Sequence, residues 1–391
     1  MREFKIFFVV LIFTALVYWG VEPYAHSVMH PHVAPANFDF AKEDISFAKS
    51  LVDQRQNELN QAQIELDKIK KSNNEEAIKS AEAKLQGASE ALEKAQKYLG
   101  TNEWLWERVD NIDLAKGDAN RGSEFFQTNC SACHSLKIAG LESAIPDSSA
   151  YGVMPPDLSA SGLLYDEKFF AALIMYPSLA LKVDHKFGDA FIMTAYNEEM
   201  SGEEREVVSQ NVADVIAYLK EVGKDYEKGV DEGIRAELND KYAKMEDLSE
   251  AQREKFIEKD FVFAKNKHNF VEACGRCHNM RYDDFKALSD MNDLKGYLGS
   301  VPPDLSIMIR SRSTEYLNNF INNTQKVLPG TAMPRVGLTQ EAQTSVIAYM
   351  EQVGDSKKEE RQSLGVYIMI FFVILSVFAI LWKRKVWSEL H

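Results

Sequence analysis

The sequence predicts an all-α chain: two repeated helical modules, a helical hairpin ahead of them, and one apolar helix at each end. Three observations carry this. Apolar residues recur at alternating steps of three and four through residues 41–100, which is the period of paired helices. A pattern of about 100 residues occurs twice, over 104–224 and 263–354, so a whole helical domain is duplicated. Uncharged runs of membrane-spanning length or nearly so lie within 1–24 and at 364–382.

At the N-terminus, Arg2 and Lys5 precede an apolar run from Ile6 to Gly20. A signal peptide or a retained span both fit. A retained anchor is the expectation, because no small-residue cleavage site follows and Tyr18, Trp19 and Tyr24 form an interfacial aromatic belt. Three histidines follow, His26, His30 and His32, and Pro31 interrupts any helical ligand face among them.

The hairpin has one seam through Ile45, Ala48, Val52, Leu59, Ala62, Leu66 and Ile69, and a second through Ile78, Ala81, Leu85, Ala88, Leu92, Ala95 and Leu99. Ser72-Asn73-Asn74 separates the two. The prediction is an antiparallel coiled coil ending at Gly100 as a C-cap, with the role of a spacer or docking arm.

In the first module, Asn120 is the expected N-cap of a helix carrying Phe125 and Phe126 into Cys130-Ser131-Ala132-Cys133-His134. The second module repeats the motif as Cys274-Gly275-Arg276-Cys277-His278. Two thiols three positions apart lie along one helical turn and suit the two vinyl groups on one edge of a porphyrin. The next histidine then faces the iron. The motif is the attachment signature of c-type haem, so two covalently attached haem groups are predicted. A zinc ribbon would bring its cysteine pairs within 15–20 residues, whereas about 140 residues separate these. A thioredoxin-like pair would need βαβ surroundings, which the pattern lacks.

Both modules continue with the same sequence of features. Met154-Pro155-Pro156-Asp157-Leu158-Ser159 matches Val301-Pro302-Pro303-Asp304-Leu305-Ser306. Met193 stands in the slot of Met333, and Val215-Ile216-Ala217-Tyr218-Leu219 matches Val346-Ile347-Ala348-Tyr349-Met350. The equivalent slots make Met193 and Met333 the candidate second axial ligands. His185 is the alternative in the first module, and Met154, Met175 and Met200 are read as packing residues. Between the modules, residues 225–262 are highly charged and predict exposed helix held by i,i+4 pairs.

At the C-terminus, Leu364 to Trp382 is uncharged and Lys383-Arg384-Lys385 follows. The positive-inside rule puts both termini in the cytoplasm and both modules outside, in a periplasm-like compartment. The net charge of −14 argues against nucleic acid and for a cationic protein partner.

The order of haem motif, Pro-Pro-Asp-Leu segment, methionine loop and closing helix resembles class I cytochrome c. That resemblance implies two tandem helical bundles with His and Met axial ligands. It also implies that a proline-loop carbonyl holds the ligand histidine, which points to Pro155 and Pro302. The segment Tyr18-Trp19-Gly20-Val21-Glu22-Pro23, the His26–His32 stretch, the two modules and the C-terminal span together resemble the di-haem cytochrome c subunit of epsilonproteobacterial bc1 complexes, the counterpart of cytochrome c1. The hairpin is not part of the haem-module pattern, and Thr194 follows Met193 where such loops usually have proline.

The narrower resemblance implies an electron-transfer subunit in the bacterial inner membrane with no catalytic site of its own. Its partners would be cytochrome b and a Rieske iron-sulfur protein, with a soluble cytochrome c or terminal oxidase as acceptor, in a dimeric complex. A cytochrome c subunit of a cbb3-type oxidase and a di-haem peroxidase are the alternatives. The C-terminal span and the hairpin fit the first poorly, and two membrane anchors and two methionine slots argue against the second.

Overall fold

A computed structural model describes residues 2–21, 24, 38–71 and 74–390. The His26–His32 cluster lies outside the described residues. Helices of eight residues or more are numbered in chain order. Among the described residues there is no strand, only the isolated bridges Leu136 with Leu141, Tyr165 with Leu338, and Met280 with Phe285.

Helix α1 (Arg2–Leu16) continues as a wider helical turn, Val17–Val21. The hairpin is formed by α2 (Phe40–Lys70) and α3 (Glu75–Asp110). Asp39 caps α2 by accepting from Lys42 N–H, and Asn74 caps α3 by accepting from Ala77 N–H. The interruption predicted at 72–74 therefore includes the start of the second arm. Lys84 pairs with Glu65 towards the tip, and Trp106 Nε1–H donates to Asp44 at the base, so the arms run antiparallel.

Gly100 does not end the second arm. The helix runs through it to Asp110, and Leu105, Trp106 and Val109 bury in the first module's core. A mid-helix glycine costs about 1 kcal/mol. Burying a leucine side chain alone contributes about 1.5–3 kcal/mol, and Trp106 adds a larger apolar area. Packing outweighs the local stop signal.

Helix α4 (Ala119–Asn129) delivers the first motif. Its cap is Asp118 rather than Asn120, because the Asp118 carboxylate accepts from the N–H groups of Asn120 and Arg121. After α5 (Glu167–Met175), helix α6 (Arg205–Ala243) crosses α4 where Gly122 meets Asp214. A Cβ on Gly122 would lie 2.0 Å from the Asp214 carbonyl oxygen, so only glycine permits this approach. Arg121 holds the Asp214 carboxylate at 2.7 and 2.8 Å across the same crossing.

The region 225–262 is not a separate linker. Helix α6 passes unbroken through 224 to Ala243, and α7 (Glu250–Cys274) begins at a capping box on Ser249 and Gln252 and ends on the second motif. Its charges pair mainly between these two arms, as Lys241 with Asp260 and Lys265 with Asp231. Leu238, Tyr242 and Phe261 form a small core between them. Helices α8 (Met291–Leu298), α9 (Thr314–Asn322) and α10 (Gln340–Gly354) complete the second module.

Its core gathers Phe270, Met280, Leu317, Val346 and Tyr349, together with Ala160 and Leu164 of the first module. Where the first module crosses helices on glycine, the second uses Asn266 and Ser345, 2.7 Å apart.

Helix α11 (Lys358–Leu390) closes the chain. The stretches Glu3–Val21 and Ser363–Glu389 are long and apolar enough to cross a membrane, and their apolar side chains face outward. The start of the first stretch meets the end of the second. Lys383 pairs with Glu3 at 3.0 Å, and the Arg384 guanidinium lies over the Phe4 ring.

Candidate haem-binding sites

Each Cys-x-x-Cys-His motif sits at the C-terminal end of a helix and folds into one further turn. Cys133 and His134 N–H groups donate to the Cys130 carbonyl at 3.2 and 2.9 Å; Cys277 and His278 donate to Cys274 at 3.1 and 3.0 Å. The segment after each histidine is clamped to its proline loop by the same set of bonds. Leu158 N–H donates to Ser135 O and Leu305 N–H to Asn279 O. Lys137 and Arg281 N–H groups donate to the carboxylates of Asp157 and Asp304, each at 3.1 Å. Ile138 and Tyr282 N–H groups reach the hydroxyls of Ser159 and Ser306. The duplicated Pro-Pro-Asp-Leu-Ser segment is thus a duplicated hydrogen-bond frame.

That frame fixes the imidazoles. His134 Nδ1 lies 3.0 Å from the Pro156 carbonyl oxygen, and His278 Nδ1 lies 2.8 Å from that of Pro303. The second proline of each pair holds the ring, not Pro155 and Pro302 as the family pattern suggested. A carbonyl only accepts, so Nδ1 carries the proton and Nε2 keeps its lone pair for a metal. Burial lowers the proton affinity of both histidines, against the pull of these carbonyls, and keeps the rings neutral.

Burial pushes the Cys130 thiol up to about 11 and the Cys274 thiol up to about 12, and raises Cys277 also. Thiols held protonated in this way do not suit a disulfide-exchange or nucleophilic role. The donor set fits haem c: four cysteines free of disulfides, and two neutral imidazoles oriented from behind.

Met193 is half-buried in the irregular segment before α6. The Phe125 ring of α4 packs edge-on against Tyr196, 4.8 Å between centroids, and this draws the segment towards the helix bearing Cys130. Met333 is half-buried in the extended segment before α10, its N–H directed at Thr331 Oγ1. His185 is exposed on a short surface helix, Asp184–Phe187. Met175 and Met280 fill cores, and Met200 is exposed.

The methionine segments lean on opposite modules. Phe187, six residues before Met193, stacks on Tyr297 of the second module. The Met333 segment donates Arg335 N–H to Leu181 O and Thr339 N–H to Leu164 O, and Gly337 O accepts from Asp166 N–H.

Two features escaped the sequence pattern. Asp44 of the hairpin is buried between Lys182 of the first module and Arg335 of the second. Arg276, inside the second motif, reaches the Met154 carbonyl of the first module. The signal available for the first was a lone acid, Asp44, beside the apolar seam; nothing local marked the second.

The cytochrome c family model matches residues 119–223. No curated relative and no solved structure matches the chain. The matched stretch runs from the first residue of α4 through the motif, proline loop, Met193 segment and closing helix described above. Residues 119–223 form a cytochrome c domain, a unit that carries covalently bound haem c and serves electron transfer.

Proposed function

We propose that the chain is a membrane-anchored di-haem c electron-transfer subunit of a quinol:cytochrome c oxidoreductase of the bc1 type. It would take electrons from a Rieske iron-sulfur protein and pass them to a soluble cytochrome c or a terminal oxidase. The observation that carries the di-haem reading is the second copy of the frame around His134, whose backbone and imidazole bonds recur around His278. Cys130 and Cys133, and Cys274 and Cys277, would hold the two porphyrins. His134 with Met193, and His278 with Met333, would ligate the irons. When bound, each haem supplies one-electron transfer. Thioether ligation and burial favour the high potential that a carrier downstream of quinol requires.

The Lys383–Glu3 pair between the two chain ends, with the basic residues flanking both apolar helices, supports a shared orientation, with both chain ends in the cytoplasm and both modules in the periplasm of a bacterial inner membrane. Purification from membranes tests the assignment. We expect two haems per chain by the pyridine haemochrome assay, and co-purification with cytochrome b and a Rieske protein. One haem per chain would remove the di-haem reading. Co-purification with a haem-copper oxidase, or peroxide turnover by the isolated chain, would remove the bc1 role.

A further inference from the structure

We propose that Arg276, a residue of the second attachment motif, raises the redox potential of the haem held at His134 in the first module. This rests on the haem reading above. Arg276 lies between Cys274 and Cys277, yet its side chain leaves its own module. Nη1 donates to the Met154 carbonyl at 3.2 Å. Met154 is two residues before Pro156, whose carbonyl holds His134 Nδ1 at 3.0 Å. Ser289 fastens the same junction. Its hydroxyl accepts from Met154 N–H at 3.3 Å, and its own N–H donates to the Arg276 carbonyl at 3.1 Å. Two hydrogen bonds and a three-residue stretch therefore connect one attachment motif to the axial histidine of the other.

The guanidinium feels the charge of half-buried Glu272, whose carboxylate accepts from the Tyr226 hydroxyl rather than from Arg276. Among the described residues no carboxylate lies within ion-pair distance of Arg276, although the chain carries a net −14. The guanidinium is half-buried, and its Nε–H is buried without an acceptor.

Ferric iron carries one more positive charge than ferrous iron. A fixed cation at low dielectric disfavours the ferric form, and the potential rises. The orphan Nε–H calls for an anionic acceptor, and a haem propionate is an acceptor of that class. Such pairing would neutralise a negative charge near the iron and move the potential in the same direction.

The test uses the full-length chain in detergent, with haem content measured first and potentials taken by spectroelectrochemical titration. The first haem's wave is the one that Met193→His lowers. We expect Arg276→Gln to retain both haems and to lower the reduced-to-oxidised ratio of the first haem about tenfold at fixed ambient potential, which is about 59 mV for one electron. Arg276→Lys keeps the charge and should stay within about threefold of the unsubstituted chain. This variant also carries the test if Arg276→Gln loses a haem.

An unmoved first wave in Arg276→Gln with both haems attached would overturn the proposal. So would a tenfold fall in Arg276→Lys, which would place the effect in hydrogen-bond geometry rather than charge. Absence of haem from Cys130 and Cys133 in the unsubstituted chain would instead overturn the haem reading itself.

Discussion

Asp44 and Arg335, 291 residues apart, form a buried two-point ion pair, with Nη1 3.0 Å from Oδ2 and Nη2 on Oδ1. Lys182 Nζ lies 3.0 Å from Oδ1, and Trp106 Nε1–H donates to Oδ2 at 3.0 Å. The Phe40 ring lies beneath the guanidinium. One carboxylate at the base of the hairpin therefore ties the hairpin to the first module and to the segment two residues beyond Met333. The hairpin is more than a spacer: its base is part of the core that holds both modules together.

Breaking a buried pair by removing one partner leaves an uncompensated charge and costs about 3–5 kcal/mol. Asp44→Asn leaves two buried cations with no anion. We expect thermal unfolding of the purified chain to fall by several degrees and the Met333 segment to become sensitive to limited proteolysis. An unchanged melting curve would mean that the trio contributes little to stability. Burial raises the affinity of the Asp44 carboxyl for a proton, but Arg335 and Lys182 more than offset it and hold it below the usual carboxylate range. A depressed carboxylate contributes stability above its unfolded value, and this is lost as pH falls through the folded value. Asp44→Asn should therefore flatten the acid limb of the stability profile below about pH 4.

Lys182 supplies the opposite sign. Two cations on one carboxylate leave a surplus positive charge in the core, and burial holds Lys182 down at about 8 from 10.5. Between those values the unfolded chain binds more protons than the folded one, so this group makes stability rise with pH. Calorimetry from pH 8 to 10 should show that contribution as a difference between the unsubstituted chain and Lys182→Met, which keeps the Asp44–Arg335 pair. Identical slopes in the two proteins would contradict it.

Glycines at two helical positions should respond oppositely to alanine. At Gly122 a Cβ meets the Asp214 backbone at 2.0 Å. We expect Gly122→Ala to force α4 and α6 apart, with loss of the first module's haem while the second is retained. At Gly87, on the exposed side of α3, nothing lies within 4 Å of an added Cβ. Gly87→Ala should stabilise by up to about 1 kcal/mol through helix propensity. Equal effects at the two sites, read by haem stoichiometry and melting temperature, would refute the helix-crossing argument.

The proposed axial ligands are separable by spectroscopy. Met333→His should keep both haems attached, lower the second haem's potential and remove its share of the methionine-to-iron charge-transfer band. Met193→His should do the same for the first haem. If the band survives in full in either variant, that methionine is not a ligand.

Much of the proposed site is local in the sequence. The spacing of Cys130, Cys133 and His134 is set by covalent reach over one helical turn, and chain neighbours alone satisfy it. The all-helical architecture followed from apolar periods, and the duplicated frame from repetition of Pro-Pro-Asp-Leu-Ser. Errors arose where packing competes with a local signal. Gly100 reads as a stop, but Leu105 and Trp106 gain more by burial than the glycine costs. The charged stretch 225–262 reads as a linker, but its charges pair between two arms that the flanking helices simply extend.

What the amino-acid sequence carries by itself is the chemistry proposed for each Cys-x-x-Cys-His motif, because that chemistry depends on residues a few positions apart. Only the tertiary structure decided that Pro156 and Pro303 hold the histidines, that Asp44 meets Lys182 and Arg335, and that Arg276 reaches the other module. These contacts depend on which polar and charged groups are removed from water together, and desolvation is a property of the packed whole rather than of any stretch of chain.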